Sequence, residues 1–214
     1  MKHTYFVTGI STEVGKTVIS AILTEALEAD YWKPVQAGEL YRTDTHRVRD
    51  LVNNHTSTFH DSAFALTAPM SPHAAAEIDG VSVTAKKIVR PSVNNHLVIE
   101  GAGGLLVPLN ATETIADLID PNDRVVVVSR HYLGSINHTL LTLEVLRQRK
   151  VNIFGIIFNG REHPSTESII ASKSGVPVLG RIDEEPFFDT NVIREYAEAM
   201  RERLLYPFPK YANN

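Results

Sequence analysis

Apolar positions along the chain come in two alternating patterns: short unbroken runs, and longer stretches with apolar residues three and four positions apart. The first reads as buried strand and the second as helix. Tyr5-Phe6-Val7, ended by Thr8-Gly9, is aromatic and β-branched and predicts a strand. From Lys16 to Glu28 the spacing turns helical, with Val18, Ile19, Ile22, Leu23, Ala26 and Leu27 on one face. Tyr31-Trp32-Lys33-Pro34-Val35 is a weaker strand, its proline best tolerated at a strand end or edge. A short helix is expected over residues 44–53. Residues 54–80 have the least periodicity, and Pro69, Ser71 and Pro72 predict a loop at their middle. His96-Leu97-Val98-Ile99-Glu100 is a sharper strand, closed by Gly101-Ala102-Gly103-Gly104. A helix is expected over 113–119, capped by Thr112 or Thr114, with Ile115, Leu118 and Ile119 on one face.

Arg124-Val125-Val126-Val127-Val128-Ser129 is apolar without alternation, as a central strand covered on both faces would be. A helix from about Ile136 to Arg149 follows, then a strand at 151–158, a helix at 165–173, a strand at 176–179 and a helix at 189–204. Repetition of strand then helix predicts the α/β class: three layers, a mostly parallel sheet with helices on both faces. One domain is expected over 1–214, with a loosely packed tail at 207–214 to which Tyr206 and Phe208 offer anchors. Ligands in such a sheet sit at the carboxyl ends of strands, here 8–17, 33–44, 100–104, 129–138 and 159–161.

Composition narrows the class without choosing a chemistry. Hydrophobic residues at 43% and charged residues at 21% are ordinary for a globular protein, and the net charge of −4 argues against a nucleic-acid partner. The short basic run Arg147, Arg149 and Lys150 suits a helix C-terminus. No apolar stretch approaches the roughly 20 residues that span a bilayer, so no membrane partner is expected. Met1 to Tyr5 leads straight into an apolar run, with no room for a charged leader, and there is no cysteine. These features predict a cytoplasmic protein.

The chemistry begins at Gly9-Ile10-Ser11-Thr12-Glu13-Val14-Gly15-Lys16-Thr17, which follows a strand and opens a helix. Phosphate needs clustered backbone N–H donors and positive charge, and glycines let the chain wrap closely. Lys16 can reach the β- and γ-phosphates and the Thr17 hydroxyl can ligate magnesium, as in P-loop NTPases. The common pattern has four residues between its first glycine and the Gly-Lys pair, whereas five separate Gly9 from Gly15. Taken alone, Gly15-Lys16-Thr17 is also an ordinary helix start; the strand before it and the acids downstream favour a nucleoside triphosphate. Magnesium demands oxygen ligands in octahedral geometry. Glu100, ending a buried strand, is the first carboxylate candidate, the alternative being a cap on the Gly101–Gly104 amides. Asp44, Asp50 and Asp61 compete for a second place.

With these residues placed, the sequence resembles the dethiobiotin synthetase family nearly end to end. The likeness rests on Tyr5-Phe6-Val7-Thr8-Gly9 with Thr12 to Thr17, Lys33-Pro34-Val35, Ser71-Pro72-His73, Glu100 to Gly104 with Pro108-Leu109, Leu133-Gly134, Ile136-Asn137-His138, and Asn159. The five-residue spacing is this family's own. The resemblance implies an ATP- and Mg2+-dependent ligase that converts 7,8-diaminononanoate and CO2 into dethiobiotin, ADP and phosphate. One amine becomes a carbamate, ATP phosphorylates it, and the second amine closes the ring.

By the same resemblance Lys16, Lys33 and Thr12 are catalytic, and Gly9, Glu13, Val14, Gly15, Lys16, Thr17 and Asn159 bind the nucleotide, Asn159 reading adenine. Thr17, Asp44 and Glu100 form the magnesium set. Thr12, Lys33 and Gly101 meet the substrate. Gly134, Ser135, Ile136, Asn137 and His138 take its carboxylate tail from the partner subunit of a homodimer. From local sequence alone Lys33 is as well read as a surface lysine, and Ser135 or Asn137 as a helix cap. One position departs: Ala37 stands where the family commonly has Ser or Thr, with Thr43 or a water as the replacement for that hydroxyl. The rivals are a P-loop ATPase of the partitioning or metal-delivery sort and another ATP-dependent ligase. Against the first, the loop carries no internal lysine and the chain no cysteine.

Overall fold

The computed structural model describes residues 2–206. The expected tail at 207–214 lies outside the described residues. Among the described residues nine strands are present: β1 (Thr4–Gly9), β2 (Asp30–Trp32), β3 (Val35–Ala37), β4 (Phe59–His60), β5 (Phe64–Leu66), β6 (Leu97–Gly104), β7 (Arg124–Arg130), β8 (Asn152–Asn159) and β9 (Val178–Ile182). Six α-helices accompany them: α1 (Lys16–Leu27), α2 (Asp44–Leu51), α3 (Pro72–Ile78), α4 (Ser135–Gln148), α5 (Pro164–Ser174) and α6 (Thr190–Leu205).

Seven strands form one sheet in the order β4-β2-β6-β1-β7-β8-β9, with every neighbouring pair parallel. Strands β3 and β5 make a second, two-stranded parallel sheet. The central strands are apolar on both faces because helices cover both: Val125 to Val128 are fully buried. The order reverses around β1 and β6, the position at which doubly wound sheets open a crevice for ligands. Among the described residues no helix is long and apolar enough to cross a membrane.

Three expectations needed correction. The single strand over 31–35 is two strands in two sheets, because Pro34 has no N–H to continue the ladder and the chain breaks there. The helix expected over 113–119 is one 3-10 turn, Ile115–Leu118, closed by a reciprocal cap between Thr114 and Asp117. Of the loop expected around Pro69, Ser71 and Pro72, residues 67–71 are loop, but Pro72 opens α3, in whose first turn its missing N–H is harmless; β4 and β5 lie earlier in the same segment.

At the end of the sheet remote from the glycine loops, Arg124 ties the first and last elements together. Its Nη1 donates to Tyr5 Oη at 2.8 Å and to Leu204 O, at the end of α6, at 3.3 Å. Tyr5 Oη also donates to Leu204 O, and the guanidinium lies over the Tyr5 and Phe154 rings. His3 Nε2 is 2.9 Å from Arg124 Nη2, and His3 stacks on His96, whose Nδ1 accepts from the His3 N–H. Burial, then the Arg124 charge, lowers the pKa of His3. Burial also lowers that of His96, the bond from His3 opposing it and the Arg124 and Lys2 charges adding to it.

Both imidazoles therefore bind protons more weakly folded than unfolded. Their contribution is complete above the unfolded value near 6.5 and is lost as pH falls through the depressed folded values. Thermal melts between about pH 7.5 and about pH 5 should show stability falling with acid, and falling less in the His3→Gln/His96→Asn protein. Equal acid sensitivity in the two proteins would remove this pair as the cause.

Candidate active site

The loop between β1 and α1 is shaped by its glycines. A Cβ on Gly9 would stand 2.5 Å from Val14 Cγ2 and 2.7 Å from Ser11 O, so only glycine lets the loop fold back on itself. Gly15 has φ 93° and packs against the Asn159 amide, which a side chain there would strike. Gly15 is the N-cap of α1 and no side chain caps that helix, so its first N–H groups remain available to an anion. Asn159, at the end of β8, donates Nδ2 to Val14 O at 2.8 Å and so braces the loop from the neighbouring strand.

Lys16 is 6% exposed and its Nζ reaches back to Ser11 O at 3.2 Å. Burial, and next the charge of Lys33, lower its pKa to about 8 against the opposing pull of Glu100 and Asp44. An anion in the loop supplies what this ammonium lacks.

Register builds the rest. Tyr31 pairs with Val98 and Trp32 with Ile99, so Lys33 comes level with Glu100 just past the end of β2. Alternation puts Tyr31 and Lys33 on the same face as Glu100. Lys33 Nζ lies 2.8 Å from Glu100 Oε1, 2.8 Å from Asp44 Oδ2 and 3.3 Å from Gly101 O. At 5% exposed it is not a surface lysine. Burial would lower its pKa, but the two carboxylates outweigh that and push it up to about 12. Glu100, 1% exposed, also accepts from Thr17 Oγ1 at 3.0 Å and from Tyr31 Oη at 2.8 Å. Its partners are these side chains, not the Gly101–Gly104 amides.

Of the three aspartates that compete in sequence, only Asp44 arrives. It opens α2 and lies 3.1 Å from Thr17 Oγ1. Burial would raise its pKa, yet the Lys33 charge and bond, with the Thr17 hydroxyl, hold it below the ordinary value. Asp50 pairs with exposed Arg42 at 3.5 Å, and the Asp61 carbonyl accepts from the Trp32 indole. Gln36 fixes Asp44 in place, its Oε1 accepting the Asp44 N–H at 3.1 Å. Thr43 does not stand in for the hydroxyl missing at Ala37, because its Oγ1 caps α2 through the His46 N–H and ring.

Thr17 Oγ1, Asp44 Oδ1 and Glu100 Oε1 converge as an all-oxygen set, with a cation, Lys33, already shared by both carboxylates. That donor set fits magnesium. Among the described residues no group of three His, Cys, Asp or Glu side chains could hold a metal without help. The remaining ligands have to be phosphate and water oxygens, as for a nucleotide-borne ion.

A cleft of about 430 Å³ adjoins the loop, lined by Thr12, Leu105, Val107, Pro108, His138 and Leu141 among others. Helix α4 begins at Gly134, φ 103°, and no side chain caps it, so neither Ser135 nor Asn137 plays that part. His138 lines the cleft and its Nδ1 lies 2.8 Å from Tyr132 Oη. Gly134, Ile136 and Asn137 are exposed, while Ser135 is buried. One chain thus gathers Lys16, Thr17, Lys33, Asp44, Glu100 and Gly101 closely, with Thr12 at the cleft. Tyr31 and Gln36 belong to the site and were missed in sequence. The signal for Tyr31 was its two-residue spacing from Lys33.

A family model described as an AAA domain matches residues 3–191. Among solved structures, the cell division ATPase MinD of Pyrococcus furiosus superposes with a TM-score of 0.60 at 14% identity, covering 94% of this chain and 99% of that one. The septum site-determining protein MinD of Pyrococcus horikoshii gives 0.58 at 13%, covering 95% and 94%. At such identities the likeness is one of fold alone. Sequence relatives speak to chemistry. The ATP-dependent dethiobiotin synthetase BioD of Christiangramia forsetii is 61% identical over 95% of this chain and 99% of its own length. The protein of that name in Cytophaga hutchinsonii is 50% identical over 90% and 94%. With the phosphate loop, the paired carboxylates and the second lysine in place, the chain belongs to the dethiobiotin synthetase family.

Proposed function

We propose that the gathered side chains divide the dethiobiotin synthetase reaction among themselves. The protein is an ATP- and Mg2+-dependent carbon–nitrogen ligase that joins 7,8-diaminononanoate and CO2 and closes the ring of dethiobiotin, releasing ADP and phosphate. The observation that carries the assignment of roles is the Lys33 ammonium held 2.8 Å from both Asp44 and Glu100, on the same Glu100 oxygen that accepts from Thr17 at the end of the phosphate loop.

Lys16 and the α1 N–H groups grip the triphosphate. Lys33 faces the carbamate, an anion that must approach another anion, the γ-phosphate; two buried ammonium groups offset that repulsion. Thr12, at the edge of the cleft, orients the carbamate by its hydroxyl, and Gly101 lies beside it. Thr17, Asp44 and Glu100 hold magnesium, which neutralises phosphate charge when bound. Glu13 and Val14 follow the nucleotide along the loop. Asn159 faces the base, through Oδ1 while its Nδ2 stays with Val14.

The carboxylate tail of the substrate lies several methylenes from its amines. We place it at the uncapped start of α4, residues 134–138, contributed by the partner subunit of a homodimer. Leu133, fully exposed beside that helix start, together with exposed Leu106 and Leu141, supports burial against a second copy. We also take the catalytic unit to be one domain and the protein to be cytoplasmic, in keeping with the absence of cysteine.

Incubation with ATP, Mg2+, bicarbonate and 7,8-diaminononanoate should yield dethiobiotin, ADP and phosphate in equal amounts by mass spectrometry. Lys16→Ala should lower turnover by on the order of 10²–10³ with the fold intact. Retention of more than about a tenth of the rate at saturating ATP would remove that role. Lys33→Ala should lose turnover while keeping ATP binding, and parallel loss of both would make Lys33 a nucleotide ligand. The shared site has its own test. Lys16→Ala protein mixed equally with Asn137→Glu protein, each inactive alone, should recover about a quarter of the wild-type activity per site as heterodimers form. Verified heterodimers without activity would place the tail elsewhere.

A further inference from the structure

The two oxygens of Glu100 have different company. Oε1 takes Thr17, at the end of the phosphate loop, and Lys33, whereas Oε2 takes the Tyr31 hydroxyl at 2.8 Å. Tyr31 is fully buried, flanked in the sheet by Val98 on β6 and Phe59 on β4. Its hydroxyl reaches diagonally to the residue two positions beyond its own partner. The ring rests against Phe59, with centroids 6.4 Å apart, so the hydroxyl is delivered from a fixed strand and not from a mobile side chain.

We propose that Tyr31 is a positioning residue that ties down Oε2 and so presents Glu100 to magnesium through Oε1 alone. The inference rests on Glu100 being a metal ligand and deepens that reading. Magnesium prefers single carboxylate oxygens at the vertices of a tight octahedron, and a carboxylate free to turn can offer both at once. Partners behind a ligand set its orientation and are worth about 10- to 100-fold in metal affinity where they have been removed. The opposite account is that Glu100 merely satisfies a buried phenol. On that account removing the hydroxyl affects stability and leaves metal affinity alone.

The experiment compares wild type, Tyr31→Phe, Glu100→Gln and the double variant. Mn2+ serves as the probe, and its binding to each protein's ADP complex is followed by electron paramagnetic resonance. The expected result is Mn2+ affinity weakened about 10-fold in Tyr31→Phe, with ADP affinity in the absence of metal unchanged. In turnover the Mg2+ concentration for half-maximal rate should rise by a larger factor than the rate at saturating Mg2+ falls. In the Glu100→Gln background the Tyr31→Phe change should add nothing further. If Glu100→Gln leaves Mn2+ affinity unchanged, the ligand assignment itself fails. If Glu100→Gln weakens binding but a folded Tyr31→Phe binds Mn2+ as wild type does, the positioning role alone is overturned. Infrared difference spectra of the wild type on Mg2+ addition give a readout that does not depend on Tyr31→Phe folding. The carboxylate bands lost in Glu100→Gln should show the wide splitting of one-oxygen coordination, and the narrow splitting of two-oxygen coordination would overturn the proposal.

Discussion

A carboxylate buried to 1% exposure is tolerated only when its charge is met by donors on every side, and Glu100 is such a group. Its donors come from separate places in the chain: Thr17 from the first turn of α1, Tyr31 from β2, and Lys33 from the residue after it. Each of those positions is set by something larger. The placing of β2 beside β6 fixes Tyr31 and Lys33 at Glu100's flank, and the phosphate loop fixes where α1 begins. Removing Lys33 would leave an uncompensated buried charge, the costly case among buried ion pairs. The middle of the sheet is therefore organised around one charge as well as around its apolar residues.

The segment that follows carries this organisation to the second carboxylate. Pro34 ends β2, the chain crosses to the small sheet, and Gln36 on β3 takes the Asp44 N–H. The β3–β5 pair looks peripheral, yet it is the support on which α2 starts, with Asp44 in its first turn beside Thr17 and Lys33. Between Lys33 and Asp44 the turn at Gly38 and the 3-10 segment Leu40–Arg42 carry the chain back to the site.

Much of this is legible in the sequence. An unbroken β-branched run such as Val125–Val128 reads as central strand, and the phosphate loop announces itself by glycine spacing between strand and helix. What escaped was decided by partners remote in sequence. Strands of two or three residues, such as β4 and β5, have no period to detect; they exist because β2 and β3 offer edges. Nothing local distinguishes Asp44 from Asp50 or Asp61, since the choice depends on where α2 packs. Thr43 was a reasonable substitute for the hydroxyl absent at Ala37, but a capping threonine in front of His46 is already committed. Tyr31 reads as one more apolar strand residue until register reveals its neighbour.

A similar fold is seen in the MinD structures at 13–14% identity. Function therefore has to be argued from the site. Here the second positive charge comes from Lys33 on the sheet, not from inside the loop, whose internal residues are Ile10, Ser11, Thr12, Glu13 and Val14. A lysine at a strand end is held by register, with its ammonium between two carboxylates, so it cannot swing out with the loop. The site holds Lys16 and Lys33 against Asp44 and Glu100, two charges of each sign, and so has little net charge to attract phosphate from afar. Attraction must be short-ranged. It comes from the uncapped N–H groups of α1 and from Lys16, the cation bonded only to a carbonyl, whose pKa near 8 marks an ammonium short of an anion. The two lysines thus differ by environment: Lys16 is poised to gain a partner, while Lys33 already has two and is kept aimed by them.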